Sequence, residues 1–174
     1  MTTLRERMLI RRLQQRDERA FAEVMRLYQH KVYNVVFRMV GSREEAEDIA
    51  QEVFVTVFKH VDSFRGDAKF STWMYRIVMR KAYDALDKRK RTPQPVDELP
   101  LTVVEPQIAD RLDLDAALAQ LEPDFRAAAV ACDVVGLSMD EAAEVLGVPA
   151  GTVKSRLFRA RDRLAVILDP ERSS

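Results

Sequence analysis

The segment 138–168 constrains the chain most, because its residues predict two helices joined by a tight turn. Ser138 and Glu141 stand three residues apart, in the capping-box pattern that begins a helix. Gly147 and Pro149 end that helix, since glycine readily adopts left-handed backbone angles and proline lacks an N–H donor. A second helix then runs to the end of the segment.

This second helix is amphipathic and strongly basic. Its apolar residues recur at steps of three and four, which places them on one side of a helix: Val153, Leu157, Ala160, Leu164 and Ile167. Its other side carries five bases with Asp162 as local compensation: Lys154, Arg156, Arg159, Arg161 and Arg163. The pattern is typical of a helix-turn-helix whose second helix enters the DNA major groove. A solvated helix pair with a charged face is the alternative.

Charge is unevenly distributed along the 174 residues, although the formal net charge is zero. Residues 1–95 carry 20 Lys and Arg against 13 Asp and Glu, whereas residues 96–124 carry eight acidic residues and one basic residue. Two basic regions are therefore separated by an acidic one. Local patches govern the binding of a polyanion more than the total charge does.

The sequence also indicates the cellular compartment in which we expect the protein. No apolar run approaches the roughly 20 residues that span a bilayer, so we expect no membrane insertion. The amphipathic N-terminus lacks the apolar core of a secretory signal. The single cysteine, Cys132, excludes an internal disulfide and suits a reducing cytoplasm. We expect a cytoplasmic protein in which Cys132 is a small core residue.

Helical periodicity runs through most of the chain, which predicts an all-α fold. The first two helices are expected at 3–15 and 18–40, the second capped by Asp17 and ended by Gly41. The first helix would place three apolar residues on one side: Leu4, Met8 and Leu9.

A third helix, capped by Ser42, combines an apolar face with an acidic ridge. Its buried face is expected to contain Ala46, Ile49, Ala50, Val53, Phe54 and Val57. Acidic residues of the first turn complement the helix dipole. The dipole does not account for Asp48, Gln51 and Glu52, which lie beyond that turn.

A loop at 62–69, interrupted by Gly66, precedes a fourth helix that mixes aromatic and basic residues. Four residues are expected to face inward: Trp73, Ile77, Val78 and Leu86. The bases are Arg76, Arg80, Lys81, Lys88, Arg89, Lys90 and Arg91. Aromatic and cationic residues beside a glycine loop suit contact with single-stranded nucleic acid. A core tryptophan with solvated charges at a helix C-terminus explains the pattern equally well.

The stretch from Thr92 to about Asp110 contains four prolines and is acidic, which predicts an extended linker. We therefore expect two small helical domains, at 1–92 and 112–174, joined by a linker at 93–111. The second domain would contain helices near 112–120, 123–135, 139–146 and 151–168.

Three motifs in this order resemble one known family. VPAGTVKSRLFRAR resembles the promoter-recognition segment of the extracytoplasmic-function sigma factors of bacterial RNA polymerase. EEAEDIAQEVFVTVF resembles their core-binding segment, and FRGDAKFSTWMYRI resembles the segment that opens and reads the melted promoter. The resemblance implies a two-domain helical factor, with sigma regions 2 and 4, that binds core polymerase and directs it to promoters.

The resemblance also implies roles for individual residues. Contact with the polymerase clamp helices falls to Asp48, Gln51, Glu52 and Phe54. Contact with the minus-ten strand falls to Phe64, Arg65, Lys69, Trp73, Arg76 and Arg80. The minus-thirty-five element would meet Lys154, Ser155, Phe158 and Arg159 in its major groove, with Arg156, Arg161 and Arg163 serving phosphates or packing. An anti-sigma factor would hold the protein inactive.

One position departs from the family, which commonly has Asn where this chain has Arg80. That Asn helps hold a base flipped from the minus-ten strand. Arginine can stack on a base or grip a phosphate, but it offers donors only and cannot reproduce the donor and acceptor of an amide. We therefore expect strand capture at the Phe64–Lys69 loop and Arg80, with a base preference that the sequence does not specify.

Two other classes of function compete with this interpretation. A conventional helix-turn-helix regulator with an N-terminal sensory or dimerisation domain would leave the acidic ridge and the loop at 62–69 unexplained. An enzyme is disfavoured, because His30, His60 and Cys132 are far apart in sequence and no metal-ligand, phosphate-loop or nucleophile motif is present. We expect no catalytic residue, metal or cofactor.

Overall fold

The computed structural model describes residues 3–92 and 106–169, and within these ranges the chain is helical and contains no strand. The α-helices are α1 Leu4–Gln14, α2 Glu18–Val40, α3 Arg43–His60, α4 Phe70–Arg91, α5 Pro106–Ala119, α6 Pro123–Ala129, α7 Met139–Leu146 and α8 Ala150–Leu168. A 3-10 turn, Val61–Ser63, follows α3, and a π-helical turn, Val130–Val134, extends α6. The predicted all-α fold is confirmed.

Local capping interactions fix the predicted helix ends. The Ser138 hydroxyl accepts a hydrogen bond from the Glu141 N–H at 3.1 Å, and the Glu141 carboxylate accepts one from the Ser138 N–H at 2.9 Å. These two bonds complete the capping box of α7. Ser42 caps α3 with its hydroxyl, while Gly41 and Gly147 end α2 and α7 in left-handed conformations.

Helices α1–α4 form the N-terminal unit, residues 3–92. Helices α2, α3 and α4 pack against one another around a shared apolar core that includes Val36, Met39, Val53, Phe70 and Met74. Leu4 and Met8 of α1 are 74% and 60% exposed, so they lie outside this core. The residues of α1 that are buried are Leu9, Ile10 and Leu13, because α1 reaches the core through its C-terminal half.

Helices α5–α8 form the C-terminal unit, residues 106–169. Its own core contains Leu118, Leu121, Ala128, Leu157 and Ala160. The expected linker overlaps this unit, since α5 begins at Pro106 and residues 106–111 are therefore helical rather than extended. Proline is compatible with the first helical turn, where its missing N–H costs no hydrogen bond. Residues 93–105 of the expected linker lie outside the described residues.

The two units pack directly against each other. Helix α7 lies on α4, and α5 lies on α2. Ala142 and Val145 of α7 are buried in the same apolar core as the N-terminal helices. The charged residue Arg126 is also buried, and its guanidinium donates hydrogen bonds to the Met39 carbonyl in α2 and to the Leu118 carbonyl in α5. The interface between the two units therefore combines apolar packing with buried hydrogen bonds.

Candidate functional site

Helix α8 divides its side chains between two sides. Val153, Leu157 and Ala160 are buried, Val153 in the core shared with the N-terminal helices and the other two in the core of the C-terminal unit. The opposite side is open to solvent, and it presents Lys154, Ser155, Phe158 and Arg159. Phe158 is 73% exposed, which is unusual for a large aromatic residue in a folded domain. The four residues expected to face a major groove therefore share one accessible surface.

The other three arginines of α8 have acidic partners within the C-terminal unit. Arg156 lies 3.1 Å from Asp124, Arg161 lies 2.6 Å from Asp133 and Arg163 lies 3.4 Å from Glu122. Arg161 donates to both oxygens of the Asp133 carboxylate, and this hydrogen bonding raises the pKa of Arg161. Among the described residues, Lys154 and Arg159 form no such ion pair.

The loop before α4 rests on an aromatic cluster. The ring centroids of Phe64 and Phe70 lie 5.4 Å apart, and Trp73 lies 5.6 Å from each of them. Phe64 is only 8% exposed and Trp73 is half-buried, so most of the Phe64 ring packs within the cluster and supports the loop. Arg65 and Arg80 are exposed, as expected for residues that bind a strand.

A groove of about 550 Å³ opens beside this loop. Helix α1 supplies one wall, and the other is formed by Phe64, Arg65 and Gly66. The α1 wall combines apolar and basic residues: Leu4, Arg7, Met8, Ile10, Arg11 and Gln14. A groove lined by apolar side chains and arginines can hold a base by contact and its phosphate by charge. No sequence pattern indicates this wall, because α1 and the loop are far apart along the chain.

Two bases of the strand-binding set contact α7. Lys69 Nζ lies 2.6 Å from Glu141 Oε1, and Arg76 lies 3.8 Å from Glu144. The hydrogen bond between Lys69 and Glu141 raises the pKa of the lysine and lowers the pKa of the glutamate. Neither acid is among the site residues that the sequence predicts. The available signal was their spacing of three residues on one helix, which places both on one side.

The acidic ridge of α3 is exposed at Asp48, Gln51 and Glu52. Glu52 lies 3.6 Å from Lys81 of α4, and its side chain remains 64% exposed. Phe54 differs from the other members of the expected polymerase-binding set, because it is 4% exposed and belongs to the core. Its neighbour Val55 is 51% exposed and extends the ridge by about one helical turn from Gln51. Phe54 therefore shapes this surface from within.

Neither a metal centre nor a membrane span emerges from the part of the chain that the structure describes. Over residues 3–92 and 106–169, no three His, Cys, Asp or Glu side chains are grouped so that they could hold a metal ion. In the same ranges, no helix is both long enough and apolar enough to cross a bilayer.

Comparison with known proteins identifies both units. Residues 24–92 match the family Sigma-70 region 2, and residues 111–164 match the family Sigma-70, region 4. The RNA polymerase sigma-H factor of Pseudomonas aeruginosa is 33% identical over 98% of this chain and 97% of its own length. The ECF RNA polymerase sigma factor SigW of Bacillus subtilis is 35% identical over 89% of this chain and 92% of its own length.

Solved structures show the same arrangement of helices. CnrH, in complex with the cytosolic domain of CnrY, matches with a TM-score of 0.74 at 26% identity, over 94% of this chain and 97% of CnrH. The sigma factor RpoE of Bartonella quintana, in complex with the anti-sigma factor NepR, matches with a TM-score of 0.72 at 26% identity, over 86% of this chain and 96% of RpoE. The resemblance inferred from three sequence motifs is confirmed, and the chain belongs to the extracytoplasmic-function family of RNA polymerase sigma factors.

Proposed function

We propose that this sigma factor uses three separate surfaces to bind core polymerase and promoter DNA. The acidic ridge of α3, formed by Asp48, Gln51 and Glu52, binds the polymerase clamp helices. The loop at 62–69 and α4 capture the minus-ten strand. The exposed side of α8 reads the minus-thirty-five element. The protein acts by binding, without catalytic chemistry, metal or cofactor, and it works in the cytoplasm.

The division of bases on α8 is the observation that carries this proposal. Arg156, Arg161 and Arg163 are paired with acids of their own unit, whereas Lys154 and Arg159 are exposed and form no ion pair among the described residues. Lysine and arginine can both donate to the acceptor atoms of guanine in the major groove. Exposed Phe158 offers an apolar contact, which suits a thymine methyl group.

Strand capture at α4 is supported by charge and by the shape of the loop. Arg65 and Arg80 are exposed, and Arg65 lines an apolar groove whose other wall is α1. Unstacking a base costs a few kcal/mol, which contacts in such a groove can offset. Phe64 and Trp73 hold the loop in place. The exposed part of the Trp73 ring can also contact a base.

An anti-sigma factor is part of the proposal. CnrH and RpoE of Bartonella quintana were solved with CnrY and with the anti-sigma factor NepR, respectively. The present chain shares their helical arrangement over most of its length. We infer that a protein of the same class binds both of its units and prevents polymerase binding.

The decisive experiment is transcription in vitro with core polymerase and genomic DNA. The full chain should co-elute with core polymerase and yield transcripts that begin at a restricted set of promoters. A K154A/R159A variant should still co-elute and should lose those transcripts. Strong binding to duplex DNA together with no affinity for polymerase would instead favour a conventional helix-turn-helix regulator.

A further inference from the structure

We propose that α1 and the loop at 62–69 form a second strand-binding site, which holds one unpaired promoter base together with its phosphates. Met8 contacts the base, and Arg7 and Arg11 bind the phosphates. The inference rests on the proposed function, which assigns the loop to the minus-ten strand and gives α1 no role. Helix α1, Leu4–Gln14, also precedes residues 24–92, the part of the chain that matches the region 2 family.

Hydrogen bonds fix α1 to the end of the loop that carries Phe64. The side-chain amide of Gln14 donates to the Val61 carbonyl at 3.2 Å and to the Phe64 carbonyl at 3.1 Å. Arg16, just after the helix, lies 2.5 Å from Asp62. The two walls of the groove are therefore held together within the protein itself. A site that is formed in advance loses less conformational freedom when it binds a ligand.

The α1 wall presents apolar side chains to solvent. Leu4 and Met8, four residues apart and hence neighbours on the helix, are 74% and 60% exposed. Both line the groove, whose volume of about 550 Å³ falls within the range of about 300–1,000 Å³ that is usual for ligand sites. Methionine makes favourable contacts with the rings of aromatic groups. An unpaired base is such a group, and it is small enough for this groove.

The charge of the groove favours an anionic occupant. Arg7, Arg11 and Arg65 line it, and none of the described lining residues is acidic. These three arginines form no ion pair among the described residues, whereas Arg5 and Arg12 of the same helix are paired with acids at the start of α2. Apolar contact combined with free cations is the means by which proteins hold single-stranded nucleic acid.

The groove continues the strand-binding surface of α4. Phe64 lines the groove, and its ring packs on Trp73 with centroids 5.6 Å apart. Trp73 and Arg80 are separated by two helical turns, roughly 10 Å, and lie on the same side of α4. A strand held at Arg80 and Trp73 can therefore reach the groove by passing over the loop. All the lining residues belong to the N-terminal unit.

Photocrosslinking in the polymerase complex identifies what occupies the groove. The photoreactive residue p-benzoylphenylalanine is introduced at position 8 of the full chain. It is introduced at position 27 as the control, because Leu27 is 55% exposed on α2 and does not line the groove. Each protein is irradiated with core polymerase and a promoter from the genomic transcription experiment, prepared with a preformed bubble.

We expect position 8 to crosslink to the unpaired strand and position 27 to give no crosslink to DNA. Crosslinks from position 8 to a polymerase subunit alone would show that a protein segment occupies the groove, and they would overturn the proposal. The absence of any crosslink from position 8 would overturn it as well.

Salt dependence tests the phosphate contacts. The variant is R7A/R11A, and the matched control is R19A/R26A, which removes two exposed arginines of α2 that form no ion pair among the described residues. Alanine preserves both helices, and circular dichroism melting verifies that the variants are folded. The affinity of each preassembled holoenzyme for the bubble promoter is measured at several salt concentrations.

We expect R7A/R11A to bind about twofold to thirtyfold more weakly than R19A/R26A, the range that two exposed ion pairs produce. Its slope of log affinity against log salt should be smaller by about 1.4, because each phosphate contact on a single strand contributes about 0.7. Equal affinities and equal slopes for the two variants would overturn the phosphate contacts.

The base contact is tested by two changes made singly and together. An abasic residue at the crosslinked position of the strand should weaken binding by the wild-type holoenzyme. The same abasic residue should have a much smaller effect on M8A, because the side chain that meets the base is already absent. Equal effects on both proteins would overturn the assignment of Met8.

Capture of core polymerase by the wild-type chain tests the proposed function separately. A chain that binds polymerase and initiates transcription, but gives no crosslink from position 8 to DNA, keeps the sigma assignment and loses the site on α1. A chain that never binds polymerase loses the functional assignment, and the inference that rests on it is overturned too.

Discussion

The carboxylate of Asp124 holds the guanidinium of Arg156 at 3.1 Å. The other oxygen of this carboxylate accepts a hydrogen bond from the Tyr83 hydroxyl at 2.8 Å, so one acid connects α8 to α4. Arg156 is thereby held by an acid of its own unit with its side chain 23% exposed, although it lies in the middle of the basic helix. Arg159, three residues further along the chain, is exposed.

Arg159→Ala should change which upstream elements are used, because Arg159 is on the side of α8 that can face bases. A lost bidentate contact reduces discrimination by about 1–3 kcal/mol at the base pair it reads. Transcription from a promoter library with randomised upstream elements measures this preference. Arg161→Ala is the matched control, since Arg161 is paired with Asp133. An unaltered preference in Arg159→Ala would contradict the groove-facing assignment.

The double variant D48K/E52K should weaken binding to core polymerase at least tenfold, because like charges would meet if the partner surface is basic. The matched control is D87K/D162K, which makes the same charge change at exposed acids that form no ion pair among the described residues. Affinity is measured by titrating labelled protein with core polymerase. Equal affinities of the two variants would remove the clamp-helix assignment of α3.

Phe54→Ala should destabilise the fold by about 3–5 kcal/mol, because it leaves a cavity in the core of the N-terminal unit. Val55→Ala should change the free energy of unfolding by no more than about 0.5 kcal/mol, since Val55 is exposed. Urea denaturation measures both values. A stable Phe54→Ala protein that loses only polymerase affinity would show that Phe54 contacts the partner directly.

Arg126→Met should destabilise the protein by about 2–4 kcal/mol, because four carbonyl groups lose their donor. The guanidinium donates to Leu118, Ala119, Leu121 and Met39. Burial lowers the pKa of Arg126, and the carbonyl groups compensate for the desolvation of its charge. Arg163→Met, at an exposed side chain, is the control in the same thermal melts. Similar melting temperatures for both variants would refute this bonding role.

Stability should fall as the pH rises above 10, in part because Tyr83 then loses its proton in the unfolded protein while it keeps its proton in the folded protein. Burial and the hydrogen bond to Asp124 raise the pKa of Tyr83 above its usual value of 10.0. The protonated form is favoured by folding, so its contribution is complete below pH 10 and is lost as the pH rises through the higher folded pKa. Urea denaturation between pH 9 and 12 measures the slope. Tyr83→Phe should flatten it, and an identical slope would contradict the prediction.

Local sequence rules predicted most helix ends. Each cap involves residues only two to four positions apart, as in Ser138 with Glu141, and such contacts exist whatever the rest of the chain does. The start of α5 at Pro106 escaped these rules, because a segment with four prolines and many acids also fits an extended linker. Helix α5 as a whole packs on α2 and α8, which the local rules do not include.

The amino-acid sequence by itself determined the all-α class, the boundaries of α2, α3, α7 and α8, and the family, because periodicity, capping and motif order are local properties. Only the tertiary structure decided which bases are available and which are paired. Lys69 meets Glu141 across 72 positions of the chain, and Arg156 meets Asp124 across 32. Such pairs depend on how helices distant in sequence pack together, and no periodicity within one helix contains that information.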